Sequence, residues 1–206
     1  MKKKIKYIIG IIIGAIVLYN SVYFMPLDEK IASEQTVTFD AESFVDDLWG
    51  RQLQFAYDTA IELSTLINQL KEKPQYMFDQ YGLSLGIGNI AYFKTTGIGI
   101  VQKINENNVL VRIGEHLIEI ETEFIFGNAI RDASGLIKIN DFDKTSDFNG
   151  ISEAINRKVR EEVIPNFRQK VKEGDRIQFH GALELNKAHL HLDLPEIIPV
   201  SIEITS

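Results

Sequence analysis

The sequence predicts an α+β fold in which about five antiparallel strands form a small, partly open barrel and a long helix packs on it. Two patterns in the spacing of apolar residues support this prediction. Between residues 41 and 72 they recur at steps of three and four, as on one face of a helix, whereas between 97 and 121 they alternate, as in strands. At 206 residues the chain can hold one such domain with its own core, preceded by an N-terminal segment.

The N-terminal segment has the composition of a single transmembrane helix. Four lysines within the first six residues precede residues 7–25, a run without a charged residue, and about 20 apolar residues suffice for a helix to cross a bilayer. A cleaved signal peptide is the alternative, but the exit LYNSVYFMP is bulky where cleavage requires small residues. We therefore expect a signal anchor over 1–25, a tether over 26–38 and a single domain over 39–206.

The distribution of charge predicts the location of that domain and excludes some partners. Lysines at the N-terminal end of an anchor stay in the cytoplasm, so the domain is expected on the periplasmic or extracellular face of the inner membrane. Setting aside those four of the 22 basic residues leaves 18 against 29 acidic ones, a net charge of −11. Nucleic acid is not an expected partner, because its binding requires basic patches. The chain has no cysteine, so disulfides, thiol chemistry and lipid attachment to Cys are excluded.

The first part of the domain is predicted to be helical. Asp40 is the expected N-cap of a long helix from 41 to 72, which bends at Gly50. The apolar stripe of this helix comprises Trp49, Leu53, Ala56, Ala60, Leu63, Ile67 and Leu70. A second, short helix over 75–81 is expected to end at Gly82.

The rest of the domain is predicted to be mostly strands. A meander of three strands runs from Gly97 to Glu121, with NENN at 105–108 and Gly114–Glu115 as its turns. A helix from 148 to about 163 is followed by a turn or a kink at Pro165, and RIQFHGALEL and AHLHLDLPEIIPVSIEI form the last hairpin. A meander, an inserted helix and a final hairpin are typical of an OB-like barrel.

The last hairpin brings several possible metal ligands onto one face. If Asn186 and Lys187 form its turn, Glu184 lies opposite His189. The shared face then holds His180, Glu184, His189, His191 and Asp193. Such side chains can bind zinc, but the solvated side of an edge hairpin also accounts for them, and we favour that interpretation.

A calcium loop and an enzyme are both disfavoured. Asp141, Asp143, Thr145 and Asp147 alternate as in a calcium loop, but Ser146 and Ser152 stand where that loop requires Gly and Glu. The sequences LGIGNI and TTGIGI contain GxG without the rest of a dinucleotide fingerprint. His116 lies beside the Gly114–Glu115 turn without an identifiable partner. We therefore predict no metal, no cofactor and no catalytic residues.

The stretch GNAIRDASGLIKINDFDKTSDFNG, residues 127–150, is the richest in polar side chains. Ordinary local roles explain about half of it: Asn128 as a helix cap, Gly135 in a turn, LIKIN as a strand and Asp147 or Asn149 as a cap. Arg131, Asp132, Asn140 and Asp141 are then left over. Two interpretations remain open for them: a buried ion pair of Arg131 with Asp132 or Asp141 that fixes the loop, and a ligand site that also includes Asn128.

These residues also carry a family resemblance. Together with FDAESFVDDLW, the GxG before the meander and IIPVSIEI, the stretch GNAIRDASGLIKINDF resembles an uncharacterised bacterial family, the predicted periplasmic lipoproteins (domain of unknown function 2291), over roughly residues 38–204. The matches to its G-x-A-x-R-D-A and N-D-F patterns are Gly127, Ala129, Arg131, Asp132, Ala133, Asn140, Asp141 and Phe142. Many members have a lipid-attachment Cys, which this chain lacks. Members are often encoded beside sugar ABC-transport systems, so the resemblance implies an envelope role and no known activity.

We therefore expect a membrane-anchored, extracytoplasmic binding or accessory protein. Its expected partners are the membrane, through residues 7–25, and a sugar ABC transporter or a polar small molecule. The candidate ligand-binding residues are Asn128, Arg131, Asp132, Asn140 and Asp141. The alternatives are a structural scaffold for an envelope complex and, third, an enzyme acting on envelope glycans.

Overall fold

The computed structural model of the chain describes residues 39–86 and 88–205, together with Tyr19, Pro26 and Leu27. The chain divides into two units, Met1–Phe39 and Asp40–Ser206, and the second contains all the elements named below. The predicted anchor and tether lie almost entirely outside the described residues. Within the described ranges, no helix is long and apolar enough to cross a bilayer.

Within Asp40–Ser206, four α-helices precede the barrel. They are α1 (Ala41–Leu48), α2 (Gln54–Ala56), α3 (Leu63–Glu72) and α4 (Pro74–Tyr81), with a π-helical turn at Trp49–Leu53 between α1 and α2 and a two-residue strand β1 (Ile61–Glu62) before α3. Asp40 is the N-cap of α1, as predicted, and its Oδ1 accepts from two backbone N–H groups at 3.1 and 3.2 Å. The short helix before Gly82 is also confirmed.

The predicted single helix from 41 to 72 is wrong, because the chain leaves the helix after Ala56. Tyr57 is buried there, and its hydroxyl donates to the Ile130 carbonyl oxygen at 3.0 Å. Glu62 then starts α3 by accepting hydrogen bonds from two backbone N–H groups of the first turn at 3.0 and 2.7 Å. The spacing of apolar residues did not reveal this break in the helix. Neither the hydrogen bond from Tyr57 to Ile130 nor the cap at Glu62 changes that spacing.

Five strands form a barrel that is closed, not partly open as predicted. They are β2 (Ile90–Ile104), β3 (Asn108–Ile113), β4 (His116–Glu121), β5 (Arg176–Asn186) and β6 (Glu196–Thr205). The order β1-β2-β3-β4-β6-β5 is closed by antiparallel pairing of β2 with β5. At 15 residues, β2 is long enough to pair with β3 at its end and with β5 from Ile90 to Ile100. The predicted meander of β2, β3 and β4 is confirmed.

The glycines of TTGIGI have a structural role in this barrel. A Cβ at Gly97 would lie 3.0 Å from the ring of Phe179, and one at Gly99 would lie 2.5 Å from Cγ1 of Val111. Both positions therefore favour glycine because the strand passes close to core side chains.

The connection between β4 and β5 is helical. It contains α5 (Ala129–Ser134), a 3₁₀ turn (Ile139–Asp141), α6 (Thr145–Lys158), a π-helical turn (Val159–Val163) and α7 (Ile164–Arg168). The inserted helix thus begins earlier than predicted, and Asp147 lies in its first turn instead of capping it. Pro165 does not end the helix, because it lies in the first turn of α7, where no N–H is needed. The predicted strand at LIKIN is wrong, since the 3₁₀ turn occupies its end.

The domain has two packed layers. Side chains of all five long strands fill the barrel interior, which α3 and α4 close with Leu66, Leu70 and Met77. On β5, Phe179, Leu183 and their alternate neighbours point inward, so the residues between them point out of the barrel. Helix α5 packs against β5, β2 and β6, and α6 packs against α1 and α5. Helix α5 therefore joins the barrel to the outer helices.

The predicted register of the last hairpin is wrong. Leu183 lies opposite Ile197, and His180 lies opposite Ser201. His189 instead pairs with Asn186 as an isolated bridge. The pairing with residues 196–205 buries Ile197, Val200 and Ile202. The HLHLDL segment has polar residues at alternate positions, so its pairing would bury less apolar area.

Glu62 caps α3 as a carboxylate, so its contribution to stability depends on pH. Burial acts to raise the pKa of Glu62, but hydrogen bonds from Ser64 and Thr65 outweigh it and leave the pKa lowered. A lowered pKa in the folded state means that the stabilisation is complete above the ordinary pKa and is lost as the pH falls through the lowered one. We expect Glu62→Ala to reduce the free energy of unfolding by about 1 kcal/mol near neutral pH, and by less in acid.

Urea unfolding followed by circular dichroism at neutral and acidic pH measures this effect. Glu72→Ala, which removes a carboxylate from the other end of the same helix, is the control and should change stability by less than about 0.5 kcal/mol. An equal loss for Glu62→Ala at both pH values would contradict the ionised cap.

Candidate binding groove

Arg131 and Asp132 form a buried ion pair on α5. Arg131 Nε lies 2.7 Å from Asp132 Oδ1, and 2% of each side chain is exposed. The Arg131 guanidinium also lies 3.6 Å from the centre of the Phe148 ring and donates from Nη1 to the Phe148 carbonyl oxygen at 2.9 Å. Because Phe148 belongs to α6, Arg131 ties α5 to α6.

The surroundings of Asp132 are polar but poor in solvent. Burial raises the pKa of Asp132, although the hydrogen bond and charge of Arg131 oppose the rise. Burial, followed by the negative charge of Asp132, raises the pKa of Tyr57 well above its ordinary value. Tyr57 thus stays a neutral hydroxyl that holds the Ile130 carbonyl of α5. The ion pair and Tyr57 together fix α5 from two sides.

The five predicted ligand residues have different surroundings. Arg131 and Asp132 are paired with each other, as the first interpretation of the stretch required. Asn128 is exposed, and its Oδ1 accepts from the Ser152 hydroxyl at 3.2 Å. Asn140 and Asp141 are exposed in the 3₁₀ turn. Their role as a ligand site is not tested by this geometry and stays a prediction.

A groove of about 470 Å³ lies beside α5. Its residues come from β5, the first residue of β2, the start of β6, the β5–β6 connection, the segment before α5, and α5 itself, which contributes Ala129. Its apolar lining includes Phe124, Phe126, Leu194 and Ile198. Its polar lining includes Glu184, Asn186, His189, His191 and Glu196. A volume of this size is typical of sites for small molecules.

Phe124 and Phe126 are the prominent exposed side chains of the groove. Their exposed fractions are 57% and 58%. They lie in residues 122–128, here called the aromatic loop. Exposed aromatic side chains next to a groove are a common sign of a binding surface, since burying them on contact with a ligand is favourable.

The backbone of the aromatic loop is held in place by hydrogen bonds. Oε1 of Glu121, a buried carboxylate, accepts from three consecutive backbone N–H groups at 2.9, 2.8 and 2.8 Å. On the other side, Arg160 Nη1 donates to the Ile125 carbonyl oxygen at 2.5 Å, and Asn156 Nδ2 donates to that of Gly127 at 2.9 Å. The loop therefore presents its two rings without a large entropic cost of ordering on binding.

Negative charge is concentrated at the groove. Burial, with the neighbouring carboxylates of Glu121, Glu119 and Glu184, raises the pKa of Glu196. Burial and the Glu184 carboxylate likewise raise the pKa of Tyr92 to about 12. The groove thus combines two aromatic rings with carboxylates that destabilise one another's charge.

The structure separates the predicted metal ligands of the last hairpin. Glu184, His189 and His191 line the groove beside α5. His180 lies in a second groove of about 310 Å³, where its Nδ1 is 3.3 Å from the Ser201 hydroxyl oxygen. Asp193 is exposed and is not among the residues that line either groove. Among the described residues, no group of three or more His, Asp or Glu side chains is arranged to hold a metal ion. His116, for its part, contacts Asn68 Oδ1 through Nε2 at 3.0 Å.

The sequence alone did not predict a site role for Phe124, Phe126, Glu121 or Glu196. The segment EFIFG, directly before the GNAIRDA motif, held the available signal, because two aromatics alternate there after a strand ends. Alternation alone predicts that one set of alternate side chains is buried. It does not reveal that the two phenylalanine rings are the exposed set and lie outside the barrel.

The strand order and the inserted helices define an OB-fold domain with an outer helical layer. A similar solved structure is the crystal structure of an OB-fold protein from Thermotoga maritima, which is 26% identical, has a TM-score of 0.74, and aligns over 82% of this chain and 99% of that one. The chain belongs to the family described as "Predicted periplasmic lipoprotein (DUF2291)", whose model matches residues 12–203. No curated protein matches the chain. The family description indicates a location in the cell envelope and gives no molecular activity.

Removing one member of the buried ion pair should be strongly destabilising. In Arg131→Met the Asp132 carboxylate is left buried without its cation, and we expect a loss of about 3–5 kcal/mol in the free energy of unfolding. Replacing both partners, as in Arg131→Met with Asp132→Leu, should recover part of that loss because no unpaired charge remains.

Urea unfolding of the three proteins measures these differences. Arg51→Met is the matched control, because the Arg51–Asp47 pair is exposed, with 75% and 73% of the two side chains accessible, and should cost less than about 1 kcal/mol. Equal effects of Arg131→Met and Arg51→Met would show that the buried pair does not lock α5.

Glu121 should control the mobility of the aromatic loop. In Glu121→Ala the three N–H groups of the loop lose a charged acceptor, and hydrogen bonds of this kind contribute about 1.5–3 kcal/mol. We expect their amide hydrogens to exchange with solvent at least about tenfold faster. Glu123→Ala, an exposed neighbour, is the control for hydrogen-exchange mass spectrometry. Unchanged exchange in Glu121→Ala would refute this role.

Proposed function

We propose that this protein is an extracytoplasmic binding or accessory module of the bacterial cell envelope and that the groove beside α5 is its binding site. One observation supports this most strongly. Phe124 and Phe126 are each more than half exposed, yet the backbone that carries them is fixed by Glu121, Arg160 and Asn156. Rigid, exposed aromatics beside a concave surface favour ligand binding over a purely structural role.

The residues that carry the family resemblance support the same site. Helix α5 lies within the GNAIRDA motif, and its Ala129 lines the groove. Arg131 and Asp132 hold α5 against α6 and so act as positioning residues. In this proposal the motif shapes the wall of the groove, whereas the aromatic loop and the start of β6 contact the ligand.

The resemblance also supports a partner. Family members are often encoded beside sugar ABC-transport systems, so the proposed module serves such a transporter, either by binding a polar small molecule or by contacting the transporter itself. Residues 7–25 would anchor the module in the inner membrane as a single-pass helix and bring the groove to the face where transported solutes arrive.

A structural scaffold is the second candidate. Its specific support is the exposure of Phe55 on α2 and of Ile98 and Ile100 on β2, since exposed apolar side chains favour contact with another protein. Crosslinking in membranes separates the two functions, because a scaffold recovers its protein partner whether or not a small ligand is present, whereas a ligand-binding module needs the groove.

The aromatic loop provides a direct test of the binding function. A panel of pentoses, hexoses and other polar metabolites is screened by thermal shift, and any hit is measured by calorimetry. We expect Phe124→Ala with Phe126→Ala to keep the fold and to weaken binding at least about tenfold, since aromatic contacts of this kind exceed 1 kcal/mol each.

Phe55→Ala is the matched control, because Phe55 is 62% exposed and lies outside this groove. A flat response across the panel, or a ligand whose binding depends on Phe55 and not on the aromatic loop, would count against the proposed site.

A further inference from the structure

Acidic side chains of three neighbouring strands lie in the groove or beside it. Glu184 of β5 and Glu196 of β6 line the groove directly. Glu119 of β4 is the strand partner of Glu196 in the sheet, and Glu121 follows it two positions later. Two carboxylates therefore line the groove where the ends of β5 and β6 meet the aromatic loop, and those of Glu119 and Glu121 lie close enough to raise the pKa of Glu196.

The described cations near the groove, Arg160 and Lys187, already have partners. Arg160 has its guanidinium 5.3 Å from the centre of the Phe126 ring, but Nη2 pairs with Glu153 at 2.8 Å. The Lys187 ammonium lies 5.5 Å from the centre of the Phe78 ring. No Lys or Arg is among the residues described as lining the groove, where His189 and His191 are the remaining titratable groups.

The chemistry of the lining favours one class of ligand. A sugar hydroxyl can donate to a carboxylate but does not neutralise its charge, whereas an ammonium group does both. Here Glu184 and Glu196 supply only acceptors, and Phe124 and Phe126 supply ring faces that attract cations and apolar groups. The lining side chains that can both donate and accept are Asn186, His189 and His191. Carboxylates beside phenyl rings complement an ammonium group on an apolar body.

We propose that the groove binds a small organic cation, an inference that rests on the proposed function. The ammonium group of the ligand lies at Glu184 and Glu196, and its apolar body lies against Phe124 and Phe126. The volume of about 470 Å³ suits a ligand of this size. The net negative charge of the chain, −7, also favours the approach of a cation from solution.

Calorimetry on the full-length protein with 1,4-diaminobutane and spermidine tests the inference, with 1,4-butanediol as the uncharged analogue. We expect the amines to bind and the diol to fail, with affinity for the amines falling as salt is added. Glu184→Gln and Glu196→Gln should each weaken amine binding at least about tenfold. Glu203→Gln, a carboxylate of the second groove, should leave it unchanged. Circular dichroism confirms that each variant is folded.

The outcomes separate this inference from the proposed function. If a neutral sugar binds, the binding depends on the aromatic loop and the amines fail, then the site stands and the cationic ligand is overturned. If a lysine-rich peptide binds and the small amines fail, the occupant is a protein segment, which also overturns the inference. Amine binding that is unchanged in Glu184→Gln and in Glu196→Gln would also overturn the inference. If none of these ligands binds, the cationic ligand is overturned, and the proposed function is decided by the metabolite panel and the crosslinking experiment.

Discussion

The organisation of the outer half of this domain depends on the buried contact between Arg131 and Asp132. A guanidinium with 2% exposure is costly to desolvate, and three contacts offset that cost: the Asp132 carboxylate, the ring of Phe148 and the Phe148 carbonyl. Because these contacts reach from α5 to α6, the pair determines where α5 lies on the barrel. Helix α5 directly follows the aromatic loop, whose backbone is held by Glu121, Arg160 and Asn156.

Closure of the barrel creates the surface on which this arrangement rests. The long β2 strand pairs with β3 and β5, so the interior is sealed by strands and by α3 and α4. Outward-facing positions of β5 and β6 then remain for a second layer. Helix α5 covers one part of that outer surface, and beyond it Glu184 and Glu196 stay accessible as the lining of the groove. Barrel and groove are thus opposite faces of the same strands.

The groove differs from ordinary surface because the backbone of its aromatic loop is fixed while its two phenylalanine rings are exposed to water. Glu121 uses its buried carboxylate to hold three amides of the aromatic loop, while Phe124 and Phe126 remain in water. Such an arrangement lowers the entropy lost on binding and leaves apolar area to be buried by a ligand. The mutual proximity of the carboxylates adds an electrostatic preference for positive charge.

The sequence by itself determined the α+β class, the meander, the inserted helix, the cap at Asp40 and the membership of the family, because each depends on local spacing or on a contiguous motif. Only the tertiary structure decided the break of the first helix at Tyr57, the closing pair of β2 with β5 and the register of the last strands. The groove belongs to the same group: Phe124 and Glu196 are distant in the chain, and which face of a strand meets water depends on what packs against it. Periodicity predicts which side chains lie on the same face of a helix or strand. Which element packs against that face depends on the whole fold.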